Sequence, residues 1–293
     1  QRSPWYDREV KRCVSSMEVA QELDIDFSAS QSLFFDPEKL SELSSKNVRP
    51  PYRIGRMDFQ DGEGVFVDDP KGQLHLWIHP DAAGDLPRDR DYAMGVDIAT
   101  GTGASNSVLS IGDKKTGEKV GEFAVPTLRP DQLGTYAVAI AKWFRGINNR
   151  GAFMIWEAAG PGRIFGDMVV SELGYREVYL RESEGRLSKK QSELLGWYPT
   201  RDTKITLFGN YRNALYGGRF INRSAEAMKE HREIIYASGG SIEHSRSHGT
   251  DPSGAKMNHG DRVTADALLS LVMMGSRHHK PLPEPKQLQE SIG

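Results

Sequence analysis

Two short apolar runs that each end in a carboxylate constrain the fold of this chain more than any other feature. Tyr92–Asp97 and Ala152–Glu157 contain almost no polar residue before their last position. Runs of this length and composition predict strands that are buried on both faces of a sheet. Because ligands of open α/β sheets bind at the carboxyl ends of the strands, Asp97 and Glu157 are the first candidate site residues.

The segments around these two runs predict a regular order of strands and helices. Ser107–Ile111 and Lys119–Val125 are strand candidates joined by a turn at 114–117, which predicts an antiparallel meander with 92–97. The further predictions are a helix that opens at Asp131, the strand 152–157, a helix at 163–173, a strand at 177–180, helices at 203–216 and 225–236 with a short strand at 219–221 between them, a loop or hairpin at 238–260 and a last helix at 261–274. This order predicts a mixed α/β sheet with helices on both faces, as in an RNase H-like fold.

The segment before residue 90 has a different, less regular pattern of predicted elements, which indicates an appendage to the main domain. Residues 1–45 favour a helix followed by irregular chain, and the strand at 73–79 is expected to form a hairpin with 64–67. A polar link that contains Pro and Gly follows, so we place a boundary near residue 90. The predicted units are 1–90, 91–280 and an extended tail at 281–293. The start lacks Met, which predicts a piece of a longer chain.

Composition excludes several classes of protein. Lys and Arg number 38 and Asp and Glu 40, for a net charge of −2, and aromatics reach 9%, which disfavours a disordered polymer. The single Cys13 excludes a disulfide framework and a cysteine-based zinc site. No apolar run approaches the ~20 residues of a membrane span. The near-neutral balance gives no sign of a polyanionic partner.

A third carboxylate, Asp261, comes just before an apolar helical stripe and is expected to face the sheet. Three acidic groups from two strand ends and one helix start suit hard divalent cations. Two Mg²⁺ or Mn²⁺ ions there would support phosphodiester hydrolysis. The alternative is that each carboxylate is a strand-end or helix-capping residue held by local amides. Asp266, further round the helix, and His259, in the preceding loop, are expected beside the site rather than in it.

Two further patterns bear on phosphate binding. The Gly-rich segment 98–107 could approach a phosphate or a metal, but it lacks the Gly-Lys-Ser/Thr ending of a Walker loop and equally fits a hairpin turn. Basic residues cluster between 176 and 232, diluted by glutamates, and this cluster predicts a DNA-binding face or a solvated surface. The residues selected for DNA contact are Lys189, Lys190, Arg201 and Lys204.

These motifs together resemble the large terminase subunits of tailed double-stranded DNA bacteriophages. The motifs are Gly95-Val96-Asp97, Ile155-Trp156-Glu157 with Gly160, and the run from His259 to Leu268. The upstream stretches at 5–23, 26–27 and 33–35 resemble the end of the family's packaging ATPase and its linker. Two departures matter. Ser105 and Asn106 stand where many relatives have a further Asp, and Gly260-Asp261 stands where paired acids are common.

The resemblance implies an RNase H-like endonuclease that depends on Mg²⁺ or Mn²⁺ and cuts concatemeric viral DNA during packaging. Asp97 would bridge two metals, Glu157 would hold one and Asp261 the other. The implied partners are double-stranded DNA, the N-terminal ATPase domain of the same protein, the portal and the small terminase subunit, in the host cytoplasm and with no membrane. Two alternatives stay open: a sugar- or acetate-kinase-like phosphotransferase, because 97–102 resembles its phosphate turn, and a non-catalytic module that docks DNA or the portal.

Overall fold

The structure, a computed structural model, describes residues 32–60, 63–81, 85–181, 194–237, 240–245, 251–256 and 260–275. The helix predicted near the N-terminus and the predicted tail fall largely outside these ranges. The described chain begins with the short strand β1 (Ser32–Leu33) and helix α1 (Pro37–Asn47). Asp36 caps α1 by accepting a hydrogen bond from the amide of Lys39, and Pro37 occupies the first turn. The Asp-Pro pair therefore starts a helix.

The predicted meander is confirmed as the centre of the main sheet. It consists of β5 (Tyr92–Asp97), β6 (Ser107–Asp113) and β7 (Glu118–Val125), paired antiparallel in sequence order. Strand β8 (Phe153–Trp156) adds on the other side of β5 and runs parallel to it. A meander whose first strand also pairs with a parallel fourth strand is the RNase H-like arrangement, so the predicted fold class is confirmed.

Three strands from the segment before residue 90 extend the same sheet. They are β2 (Arg53–Gln60), β3 (Glu63–Asp68) and β4 (Leu74–Leu76), in the order β3-β2-β4-β7-β6-β5-β8. The predicted hairpin between 64–67 and 73–79 is wrong, because β3 pairs with β2, and β4 pairs with β2 and β7. In the sequence β2 and β3 are separated by Asp61-Gly62, a strong two-residue hairpin signal. The sheet crosses residue 90, and the division into 1–90, 91–280 and 281–293 stays a prediction.

Helices cover both faces of the sheet, as predicted. One face packs against α2 (Pro130–Trp143) and α3 (Gly162–Gly166), which continues as a π-helical segment (Asp167–Glu172). An exposed 3₁₀ turn (Ile147–Asn149) follows α2. The other face packs against α4 (Arg201–Tyr216) and α6 (Asp261–Met274), with α5 (Ala225–His231) beside them.

Gly95 allows α6 to lie directly on β5. A Cβ atom at Gly95 would stand 2.2 Å from the carbonyl oxygen of Ala265. Strand β5 therefore needs a glycine there, and α6 is held against the strand that ends in Asp97.

The segment between α4 and α6 differs from the prediction. The helix predicted for 225–236 ends at His231, and β9 (Ile234–Tyr236) pairs with β1 and with β10 (Ile242–His244) in a second, three-stranded sheet. Two neighbouring β-branched residues, Ile234 and Ile235, favour the strand. The strands predicted at 177–180 and 219–221 form only isolated bridges. Among the described residues, no helix has the length and apolarity that crossing a membrane requires.

Candidate functional site

Asp97 and Glu157 emerge side by side at one edge of the main sheet. The parallel strands β5 and β8 place Val96 opposite Trp156, so the two carboxylates are the next residues in register. Residues in register on parallel strands present their side chains to the same face. Both carboxylates are half-buried, and the amide of Ile98 donates a hydrogen bond to Oδ1 of Asp97 at 3.1 Å.

A tight turn fixes the position of Glu157. Its backbone forms a parallel bridge with Trp197, and the amide of Ala158 donates to the Trp197 carbonyl at 2.7 Å. A Cβ atom at Gly162 would lie 1.8 Å from the carbonyl oxygen of Glu157, which leaves no space for a side chain. The small residues after Glu157 therefore build a strand-to-helix turn, which was one of the two sequence interpretations.

Asp261 is the first residue of α6 and is 5% exposed. Its Oδ2 accepts a hydrogen bond of 2.7 Å from the amide of Asn106, just before β6. Thr264, one turn along α6, lines the same cleft as Glu157. The start of α6 is thereby set beside the ends of β5 and β8.

The charges of Asp261 and Glu157 raise the proton affinity of Asp97. Burial, followed by the charges of Asp261 and Glu157, raises the pKa of Asp97 well above its usual range. Burial also raises the pKa of Glu157, and it raises the pKa of Asp261 to about 7. Lys204 on α4 opposes these shifts at Asp97 and Glu157. Asp97 lies within electrostatic reach of both other acids, and such a grouping of like charges favours a cation.

A cleft of about 250 Å³ opens beside Glu157. Lys204 and Thr264 contribute polar groups, while Phe208 and Ile234 contribute apolar walls. The cleft is thus bounded by a carboxylate, an ammonium and a hydroxyl, which is suited to a charged ligand.

The side chains fit a divalent cation by charge and by donor type, since all three candidate ligands are hard carboxylate oxygens. Within the part of the chain that the structure describes, no group of three or more His, Cys, Asp or Glu side chains has the arrangement to hold a metal ion as it stands. Asp97, Glu157 and Asp261 are thus neighbouring carboxylates rather than a formed ligand shell.

The other predicted site residues fall in different places. Asp266 is fully buried, and its carboxylate accepts hydrogen bonds from Lys119 and Asn222, each at 2.7 Å, and from Ser110. Lys204 lines the cleft, and Arg201 is exposed in the first turn of α4. Lys189, Lys190 and His259 lie outside the described residues.

A buried ion-pair cluster beneath α6 was missed by sequence reasoning. It contains Lys119, Glu122, Glu230, Asp251, Arg262 and Asp266. Burial would raise the pKa of Glu122, but Lys119 and Arg262 together lower it to about 2. The sequence of α6 shows only that Arg262 and Asp266 are charged residues within a largely apolar helix, which does not identify their partners. Asn106 was noted only as a departure from the family pattern, although its amide holds Asp261.

The strand order and these three carboxylates define the class of this protein: an RNase H-like domain with an acidic cluster at the ends of the neighbouring strands β5 and β8. No protein-family model and no curated protein matches the chain.

Among solved structures, the large terminase nuclease from thermophilic phage G20c with bound magnesium is 16% identical, with a TM-score of 0.48, over 83% of this chain and 97% of that chain. The same nuclease with bound cobalt is 14% identical, with a TM-score of 0.48, over 79% and 95%. The Thermus phage P74-26 large terminase nuclease domain is 15% identical, with a TM-score of 0.49, over 83% and 98%. These proteins belong to the family that the motifs resemble. The RNase H-like fold of this chain rests on its own strand order.

Proposed function

We propose that this chain is a divalent-metal-dependent endonuclease that cuts concatemeric double-stranded viral DNA during genome packaging, as the nuclease part of a large terminase subunit. The observation that carries the proposal is the convergence of Asp97, Glu157 and Asp261 at one edge of the sheet. Their mutual repulsion, expressed in the raised pKa of Asp97, supports a site that is completed by a cation.

In this proposal Asp97, Glu157 and Asp261 would hold Mg²⁺ or Mn²⁺ as two ions, and the metal would supply an activated water and charge stabilisation at the leaving oxygen. The chain's own groups position the DNA. Lys204 balances the carboxylates and lies in the cleft where its ammonium can bind a backbone phosphate. The amide of Asn106 holds one oxygen of Asp261 in place.

The DNA-binding face is proposed around the first turn of α4. Arg201 and Lys204 are both in that turn, and Tyr198 precedes it with its ring 42% exposed. The guanidinium of Arg181 lies 4.9 Å from the centre of the Tyr198 ring. Cations beside an exposed aromatic suit phosphate and sugar contacts without base readout, so we expect low sequence specificity. Lys189 and Lys190 stay predictions for the same face.

The remaining parts of the proposal follow from the resemblance stated above. They are joint action with an N-terminal ATPase domain, the portal and the small terminase subunit in the host cytoplasm.

A plasmid-nicking assay with Mn²⁺ or with EDTA tests the proposal on wild type and on Asp97→Ala. Because loss of groups that merely support metal ligands costs 10–100-fold, we expect Asp97→Ala to reduce nicking by at least about 100-fold. Asp58→Ala is the matched control, because Asp58 is partly exposed on β2 and, among the described residues, pairs only with Arg56, at 2.9 Å. Circular dichroism should show both variants folded.

Three outcomes would contradict the proposal. Nicking that survives Asp97→Ala or EDTA would remove the metal site. ATP-dependent phosphorylation of a small substrate would favour the kinase-like alternative. DNA binding without nicking at any Mn²⁺ concentration would favour a docking module.

A further inference from the structure

A closed ring of hydrogen bonds surrounds Asp261. The amide of Asn106 donates to Oδ2 of Asp261 at 2.7 Å, and the Ser253 hydroxyl donates to Oδ1 of Asn106 at 2.6 Å. The amide of Ser253 donates to Asp251 at 2.9 Å, and Asp251 accepts two hydrogen bonds from the Arg262 guanidinium, at 2.6 and 3.1 Å. Arg262 follows Asp261 in the chain, so the ring closes on itself.

Arg262 anchors this ring to the protein interior. It is 3% exposed, and its guanidinium also donates to Glu230 at 2.6 Å and to Glu122 at 3.0 Å. The residue before α6, Gly260, offers no side-chain cap. Instead, the carboxylate of Glu230, on α5, accepts a hydrogen bond from the backbone amide of Arg262 at 2.8 Å and so caps the start of α6. The first turn of α6, which carries Asp261, is therefore held from outside the helix.

The ring distinguishes the two oxygens of the Asp261 carboxylate. Oδ2 is held by Asn106, whereas Oδ1 accepts no hydrogen bond from the described residues. A carboxylate fixed through one oxygen presents the other in a defined direction. Groups that orient metal ligands in this way raise the affinity of the ligands for the ion.

We propose that Asp251, Ser253, Asn106 and Arg262 are positioning residues that orient Asp261 toward a divalent cation. This inference rests on the proposed metal site. It assigns a role to the segment 251–256, in which Asp251 and Ala255 are buried. The same segment also contacts the Gly-rich turn after Asp97, because the amide of Lys256 donates to the Gly103 carbonyl at 3.1 Å.

A purely structural role for the ring predicts a different result from an orienting role. If the ring only stabilised the loop, breaking it would lower the melting temperature and leave metal affinity unchanged. If it orients Asp261, breaking it weakens the binding of the cation while the maximal rate at saturating metal is preserved. Metal affinity measured without substrate separates the two roles.

The experiment titrates Mn²⁺ into the folded chain by calorimetry, with Mn²⁺ electron paramagnetic resonance as a second readout. Ser253→Ala breaks the ring at a half-buried hydroxyl, and Asp251→Asn weakens the Arg262 link. We expect each variant to bind Mn²⁺ about 10–100-fold more weakly. The Mn²⁺ concentration for half-maximal nicking should rise by the same factor, with the maximal rate within about twofold of wild type. Ser253→Thr, which keeps the hydroxyl, should restore the affinity.

Ser44→Ala is the matched control, since Ser44 is half-buried on α1 and its hydroxyl donates only to the Leu40 carbonyl at 2.7 Å. It should leave Mn²⁺ affinity unchanged. If Asp251→Asn reduces the folded fraction, Ser253→Ala alone decides the result. Wild-type affinity in Ser253→Ala would overturn the orienting role while leaving the metal site intact. A wild-type chain that binds no Mn²⁺ would overturn the proposed function as well.

Discussion

Replacing Lys119 by Met tests how the central sheet and helix α6 are held together. Lys119 lies on β7 and its side chain is 0% exposed. The ammonium contacts Glu122 on the same strand and Asp266 on α6, each at 2.7 Å. Removing it leaves two buried carboxylates without this cation. Methionine has a similar length and shape, so the substitution changes charge far more than packing.

The expected loss in the free energy of unfolding depends on which hydrogen-bond donors each carboxylate retains. Glu122 retains the guanidinium of Arg262 at 3.0 Å, whereas the donors that Asp266 retains among the described residues are the neutral groups of Asn222 and Ser110. Breaking a buried ion pair by removing one partner costs about 3–5 kcal/mol. Because one of the two carboxylates stays paired, we expect Lys119→Met to lower the free energy of unfolding by that amount and not by twice as much. This is a large share of the 5–15 kcal/mol typical of a domain.

Urea unfolding at pH 7, followed by circular dichroism, measures this change. The double variant Lys119→Met/Asp266→Asn removes the uncompensated charge and should recover at least half of the loss. Lys115→Met is the matched control, because Lys115 pairs with Asp89 at the same 2.7 Å but both side chains are exposed. Exposed pairs contribute about 0–1 kcal/mol. A loss below about 1 kcal/mol for Lys119→Met, or no recovery in the double variant, would refute the reasoning.

Two further predictions concern pH and a turn. Burial lowers the pKa of His231 to about 4, below its unfolded value near 6.5. The folded state therefore binds fewer protons than the unfolded state, so the contribution of His231 to the free energy of unfolding is complete above pH 6.5. This contribution falls by up to about 3 kcal/mol as the pH drops toward 4. His231→Gln should flatten the acid side of a plot of urea midpoint against pH, and an unchanged slope would contradict this. Gly162→Ala should cost about 1–3 kcal/mol through overlap with the Glu157 carbonyl and should reduce nicking as well. Gly209→Ala is the control, because the added methyl there has open space around it. Equal melting temperatures for the two variants would contradict the prediction.

The strand-end carboxylates and the fold class were predictable because their signals are local. An apolar run that ends in one acid identifies both the buried strand and the position where it leaves the sheet, as at Asp97 and Glu157. The turn at 114–117 predicted the antiparallel meander, and the apolar stripe after Asp261 predicted helix α6. Each of these predictions depends on residues that are neighbours in the sequence.

The strand pairing of the first ninety residues and the ion-pair cluster were missed for different reasons. The Asp61-Gly62 signal for pairing β2 with β3 was present in the sequence and was overlooked. The ion-pair cluster has no such signal. Lys119 and Glu122 lie on a strand that is buried nearly throughout. Charged residues in a strand are usually assigned to a solvent-exposed face, so the sequence pattern does not indicate that these two are buried. Their partners Arg262 and Asp266 are on the last helix, so only the tertiary structure brings the charges together.

Helix α6 connects the candidate metal centre with the ion-pair cluster, and its two attachments should be separable. Asp261 and Arg262 begin the helix and are held by Asn106, Glu230 and Asp251, whereas Asp266 is held further along by Lys119. Because the helix start has its own anchors, Lys119→Met should lower stability and leave the Mn²⁺ affinity of the folded protein unchanged. Ser253→Ala should do the reverse. If both variants changed stability and affinity in parallel, the helix would act as one unit, and the distinction between anchoring and orientation would fail.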